Sequence, residues 1–336
     1  MKNKKVLIIG GAGFIGHNLA IYLKKRKFDV WTVDNLKINN LAHVKKNIKN
    51  KNQKKLYLSF LKDRLKLLKK NKIPLKICDV SKKSKILKIV QNFKPNIVIH
   101  LAAVSHDSRS NTNPEEAFEN SQRTLFNSLE SIKDKKNSHF IYFSSSMVYG
   151  NFKKKVAFEQ DTCNPIGIYG SLKLSGELLV KSYSNVFGNK YTIVRPSALY
   201  GERCISNRVI QIFLENAFQR KKIFIKGDGR EKLDFTYIDD LCSGIFKIVK
   251  DQRKSSNRTF NLTYGSARSI NDLRKLTKKK FKNQIFVSVS RNKLMAIRGT
   301  LSIKKAKRML KYNPKFSLEK GFEKYYRWYS KNYANR

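Results

Sequence analysis

Tyr169 and Lys173 stand four residues apart in Tyr169-Gly170-Ser171-Leu172-Lys173. That is about one helical turn, which sets both side chains on one face. Ser145 lies upstream in Phe143-Ser144-Ser145-Ser146-Met147-Val148-Tyr149-Gly150. Near the start, Gly11-x-Gly13-x-x-Gly16 follows the apolar run Val6-Leu7-Ile8-Ile9, and Gly10 adds the wider spacing Gly10-x-x-Gly13-x-x-Gly16. Glycines there allow a tight turn and let the backbone approach a pyrophosphate at a helix N-terminus. A serine, a tyrosine and a lysine behind such a loop are the parts needed to move a hydride and a proton at a carbinol carbon.

Asp34 ends a second apolar run, roughly 20 residues beyond the glycine loop. A carboxylate there can bond both ribose hydroxyls of an adenosine and repels a 2′-phosphate, which favours NAD over NADP. Asp79-Val80 follows a third run, where it would sit beside adenine. Leu101-Ala102-Ala103 follows a fourth, giving small residues where backbone must pass close to a cofactor. Each feature alone has a plainer reading: a glycine turn, a surface tyrosine and lysine, serines capping a strand end. Their order along the chain joins them.

These residues need a scaffold that brings strand ends together. Val6 to Ile9, Val30 to Val33, Leu75 to Cys78, Ile97 to His100, Phe140 to Phe143 and Thr192 to Val194 read as buried parallel strands. Helical patterns lie between them over Phe14 to Lys25, Lys82 to Asn92 and Pro114 to Ile132. Strand–helix alternation predicts an α/β fold, a Rossmann-type doubly wound parallel sheet with a smaller αβ lobe. Residues 1–195 with 236–264 are expected to form the cofactor domain, and 196–235 with 265–336 the substrate lobe. The long connection over 36–73 is expected to be a helical insertion, because Leu56 to Leu68 has apolar residues at helical spacing. Tyr325-Tyr326-Arg327-Trp328-Tyr329 is aromatic at a helical period and should pack against the lobe. Asp239-Asp240 reads as the cap of the helix that follows.

The 336 residues carry a net charge of +48. A basic chain can bind polyanions, but the lysines are spread throughout, and base readout relies on arginine. A solvated lysine-rich surface is the expectation, with no specific nucleic-acid partner. Cys78, Cys163, Cys204 and Cys242 form no C-x-x-C pair, and no zinc set is completed by histidine. They read as free thiols of a cytoplasmic protein. No apolar run approaches the length needed to span a bilayer.

The pattern resembles the extended short-chain dehydrogenase/reductase family, in its NAD-dependent nucleotide-sugar epimerase/dehydratase branch. The resemblance runs through Gly10 to Gly16, Asp34-Asn35-Leu36, His100 to Ala103, Ser144 to Gly150 and Tyr169 to Lys173. It continues in Arg195 to Gly201, Asp234 to Asp240 and Arg298 to Leu301. It implies that Tyr169 is the acid/base, that Lys173 holds the cofactor ribose, and that Ser145 bonds the reacting sugar oxygen. A nearby ammonium and a positive nicotinamide ring should draw the phenol down from about 10. Gly10, Gly13, Phe14, Ile15, Gly16, Asp34, Asn35, Asp79, Val80, Leu101, Ala102, Ala103 and Pro196 would join Tyr169 and Lys173 around NAD. Val104, Ser105, Asn120 and Ser146 would line the sugar pocket, with Asn120 equally readable as a helix asparagine satisfied by backbone.

Arg298 matches the family's diphosphate arginine, and Arg203 and Arg208 are further candidates. Leu233 stands where the branch often has arginine, with Arg230 and Lys232 close by. In the dehydratases an Asp–Glu pair follows the catalytic threonine; here Ser146 and Met147 stand there, and methionine cannot transfer a proton. The resemblance therefore implies a nucleotide-sugar epimerase, working at C4 on a nucleotide-diphosphate sugar, as a homodimer through paired helices. A 4-ketoreductase using the same residues, and a basic polyanion-binding protein with an idle Rossmann fold, are the alternatives.

Overall fold

Apart from the run at Leu75–Ile77, where Ile77 is exposed, the apolar runs are largely buried on both faces, which suits strands sandwiched between helices. The computed structural model describes residues 4–104, 107–135, 137–291 and 294–334. All six expected runs are strands: β1 (Lys5–Ile9), β2 (Asp29–Asp34), β3 (Leu75–Ile77), β4 (Ile97–His100), β5 (His139–Phe143) and β6 (Lys190–Arg195). A seventh, β7 (Arg258–Asn261), completes one sheet in the order β7-β6-β5-β4-β1-β2-β3. Every pairing in it is parallel. This is the expected doubly wound Rossmann sheet. The winding reverses between β1 and β4, so a crevice opens at the carboxyl ends of those strands.

Alternation along each strand divides the core. Val6, Ile8, Ile97 and Ile99 belong to one buried cluster, and Leu7, Ile9 and Val98 to another on the opposite face. α1 (Phe14–Lys24) and α2 (Lys51–Lys70) cover the first face. α3 (Lys83–Phe93), α4 (Thr124–Glu130) and α5 (Ile168–Phe187) cover the second.

α2 is the helix expected in the insertion, and it starts earlier than the apolar pattern. Asn50 caps it, its side chain accepting from Gln53 N at 2.9 Å, so a polar first turn is helical too. Its buried side is Leu56, Tyr57, Phe60, Leu61, Arg64 and Leu68. The expected helix over Pro114 to Ile132 is less regular: α-helix at Pro114–Phe118, a π-helical turn at Glu119–Arg123, then α4.

Beyond Pro196, β7 apart, the strands are short pairs. Ile223–Lys226 runs parallel with Phe286–Val289, and Lys232–Leu233 antiparallel with Arg268–Ser269. α6 (Val209–Phe218) packs on the Ile223–Lys226 strand, α7 (Ile238–Lys250) returns to lie against α1, and α8 (Leu318–Ala334) closes the described chain. Tyr325 and Tyr329 of α8 are buried. Tyr329 packs against Phe218 of α6 and also against Phe60 of α2, so the aromatic tail grips the insertion as well as the lobe. Asp240 accepts from Lys315 N (2.7 Å) and Phe316 N (2.9 Å). It therefore anchors the segment before α8, where the sequence suggested only a cap for α7. No helix among the described residues is long and apolar enough to cross a membrane.

Candidate active site

The glycine loop joins β1 to α1. Gly10 has φ +83°, and a Cβ there would meet Ala102 N at 3.0 Å. A Cβ on Gly16 would meet the Gly10 carbonyl oxygen at 2.3 Å. The loop thus requires glycine at both ends. Gly13 caps α1 without a side-chain hydrogen bond, and the first turn holds no acidic residue. Its N–H groups face a cavity lined by Gly10, Gly13, Phe14, Ile15 and Gly16 on one side. Asp34, Asn35, Val80, Leu101, Ala102 and Ala103 line the other. An uncapped helix N-terminus set in a glycine cradle fits a dinucleotide pyrophosphate. Asp34 is half-buried, which raises its pKa from the ordinary value, while N–H groups of Leu36 and Ala12 bond its oxygens and oppose that.

The reacting end lies where β5 and α5 meet. Ser145, Ser146 and Met147 follow β5, and α5 begins after Gly167, so Tyr169, Lys173 and Ser145 line one cavity of about 650 Å³. Lys173 Nζ donates to the Phe143 carbonyl at 2.8 Å and lies 5.9 Å from the centre of the Tyr169 ring. Burial lowers the Lys173 pKa to about 8, against the pull of Glu177. For Tyr169, burial raises the phenol above its usual value, and Arg208 and a hydrogen bond from Ser145 only partly offset it. The expected fall is therefore not present in the protein alone. Desolvation of the phenolate outweighs the local cations.

The two cavities share Ile15, Leu101, Ala103, Leu199 and Arg208, so they form one continuous cleft. Arg208, just before α6, and Arg298 both line the large cavity, as does Pro196, whose carbonyl accepts from Ser146 N. Burial lowers the Arg298 pKa to about 10. Leu233 is buried in the wall, whereas Arg230 and Lys232 are exposed, so neither replaces the missing arginine there.

Four expectations need correction or reassignment, and a fifth falls on a residue that is not described. Arg203 lines neither cavity; its Nε donates to His17 at 3.0 Å and its Nη2 to Asn18 at 3.2 Å, which locks it against α1. Val104, four residues past the end of β4, is buried and lines neither cavity. Asn120 borders the cofactor cavity rather than the sugar cavity, and its Nδ2 donates to the Glu116 carbonyl at 2.8 Å. Asp79 turns into a neighbouring cleft beside Lys37, which bonds it at 2.9 Å. Burial raises its pKa, but bonds from Lys37 and Ser81 prevail and hold it at about 2. Ser105 lies outside the described residues.

Two site residues were missed. Glu177 lies one turn beyond Lys173, fully buried, gripped by Arg195 at 2.8 and 2.7 Å and by Ser144. Its i+4 spacing from Lys173 was the available signal. Asp107 lines the large cavity, and its Oδ1 is buried without a hydrogen-bond partner. No motif marked it.

Residues 6–263 match the model of the NAD dependent epimerase/dehydratase family. A putative UDP-glucose 4-epimerase of Methanocaldococcus jannaschii is 28% identical over 334 residues, covering 97% of this chain and 99% of its own. Among solved structures, UDP-glucuronic acid 4-epimerase from Bacillus cereus, in complex with UDP-glucuronic acid and NAD, superposes with a TM-score of 0.87. It is 26% identical, covering 97% of this chain and 99% of its own. UDP-glucose 4-epimerase from Thermotoga maritima, with UDP-glucose, has a TM-score of 0.84, 26% identity and the same coverage.

Proposed function

Because the chain belongs to the NAD-dependent epimerase/dehydratase family, we propose that it epimerises a UDP-linked sugar at C4 through a transient 4-keto sugar. Its cofactor is NAD. The observation that carries the reading is the single cleft in which Ser145, Tyr169 and Lys173 face the sugar cavity while the glycine loop faces its continuation. Met147 in the same wall supplies no proton, which favours reversible oxidation over elimination.

Bound NAD supplies a hydride acceptor and, once reduced, a donor. Gly10, Gly13 and Gly16 with the first turn of α1 would hold its pyrophosphate, and Asp34 its adenosine ribose. Tyr169 takes the C4 hydroxyl proton as the carbinol is oxidised and returns it when the ketone is reduced. Ser145 bonds the C4 oxygen, and Lys173 orients the cofactor ribose and favours the phenolate. Arg208 and Arg298 hold the diphosphate while the keto sugar turns over, so that reduction on its other face gives the epimer. Residues 1–195 with 236–264 serve as the cofactor domain, and 196–235 with 265–336 as the substrate lobe. The protein works in the cytoplasm as a homodimer; exposed Phe118 and Phe126 on the Pro114–Glu130 segment and Leu178 on α5 support the pairing.

The test is to incubate purified protein with UDP-glucose and UDP-glucuronate without added NADH. Expected is a C4 epimer of unchanged mass with no net NADH change. A product lighter by one water marks a dehydratase, and a strict need for added NADH marks a ketoreductase; either overturns the proposal.

A further inference from the structure

Arg64 of α2 is among the largest fully buried side chains of the protein, 1% exposed. Its Nη1 donates to the Ala12 carbonyl at 3.4 Å, inside the glycine loop. Its Nε donates to the Arg203 carbonyl at 3.2 Å, and its Nη2 donates to the same oxygen. None of these partners is a carboxylate. Burial lowers its pKa to about 10, with Arg203 adding to the fall and Cys204 and Asp34 opposing it. Arg64 is therefore still a cation at neutral pH. A buried guanidinium whose hydrogen bonds go only to neutral carbonyls is costly, and with Asp34 near but not bonded to it, further negative charge would stabilise it.

The Ala12 peptide is fixed on both sides. Its N–H donates to Asp34 Oδ2 at 3.0 Å, and its carbonyl accepts from Arg64 and from Asn40 Nδ2, each at 3.4 Å. Asp34 thus holds the Gly11–Ala12 peptide, while Asn40 and Arg64 hold the Ala12–Gly13 peptide that leads into the N–H groups of α1. Arg203 supplies the other anchor: its side chain is bonded to His17 and Asn18 of α1, so the carbonyl that Arg64 grips cannot drift from that helix.

We propose that Arg64 is a positioning residue for the cofactor: a buried cation, delivered by the 36–73 insertion, that fixes the glycine loop for a dinucleotide pyrophosphate. The pyrophosphate's charge offsets the burial of the guanidinium, so loop order and anion binding support each other. This rests on NAD binding and not on the C4 reading.

The test is calorimetric titration of NAD⁺ into the full-length protein, freed of co-purified cofactor, for wild type, Arg64→Gln and Arg64→Lys. Leu68→Ala, buried on the same helix away from the loop, is the control for loss of stability. Arg64→Gln removes the charge and is expected to weaken NAD⁺ about tenfold or more, the scale of losing a charged hydrogen bond. Leu68→Ala should lower Tm with NAD⁺ affinity unchanged. If Arg64→Gln does not fold, Arg64→Lys decides: one ammonium cannot span the Ala12 and Arg203 carbonyls, so NAD⁺ should weaken by about threefold or more. Wild-type affinity in either folded Arg64 variant overturns the proposal, as does an equal loss in Leu68→Ala. A wild type that binds NAD⁺ yet epimerises no sugar defeats the C4 reading and leaves this test intact.

Discussion

At the scale of single residues, the phenol of Tyr169 is the group on which turnover should depend. Tyr169→Phe removes one oxygen and no wall. It should leave NAD⁺ affinity within about twofold and lower kcat by roughly 10²–10⁴, the usual worth of a positioned acid/base. Near-wild-type kcat in that variant would sink the mechanism. Lys173 has its folded-state pKa lowered to about 8 by burial, below its ordinary value of 10.5. Between those values the unfolded chain holds the proton that the folded chain has released. This group's contribution to stability therefore rises with pH across that window. Urea midpoints of wild type relative to Lys173→Met, followed from about pH 7.5 to 10, should shift in favour of wild type. A flat or falling difference would show that the ammonium is better solvated than its burial indicates.

At the scale of elements, α5 presents Tyr169, Lys173 and Glu177 at a one-turn repeat. The last of these locks the helix to β6 through Arg195, with both partners buried. A bidentate pair of this kind can hold register only while both members remain. Glu177→Ala leaves the guanidinium alone in the core and should cost about 3–5 kcal/mol in chemical denaturation. Replacing both, Glu177→Met with Arg195→Met, should recover most of that. If the double variant is no more stable than the single, the pair is contributing more than charge balance. The insertion acts in a similar way on the other side of the cleft. α2 turns a long β2–β3 connection into a wall that touches the glycine loop, α8 and, through Tyr57 and Glu215, α6.

At the scale of the whole molecule, large apolar side chains stay exposed on two adjacent helical faces. Phe118 is 48% and Leu178 57% exposed. If these faces pair in a dimer, Leu178→Glu with Phe118→Glu should convert it to monomer in sedimentation equilibrium, because a buried carboxylate without a partner is strongly disfavoured. A wild-type protein that sediments as a monomer at micromolar concentration would refute the pairing. The charge of +48 works against association at low ionic strength, so such a dimer should tighten as salt screens it.

Much of the site was legible because it sits at strand ends, and strand ends are written contiguously. The loop after β1, the aspartate ending β2, the serines after β5 and the tyrosine–lysine turn of α5 each occupy one short stretch. The parallel order of the sheet then forces those stretches to one edge. The chain by itself therefore determined the sheet, the glycine loop and the meeting of Ser145, Tyr169 and Lys173 in one cavity. Tertiary structure alone decided which cations serve the cleft. Arg203, Arg208 and Arg64 are alike as letters. Packing sends Arg208 into the cleft, bolts Arg203 to α1 and buries Arg64 behind the glycine loop. The reason is physical: a long side chain goes where its partners are, and the partners of these three come from segments up to 186 positions away in the chain.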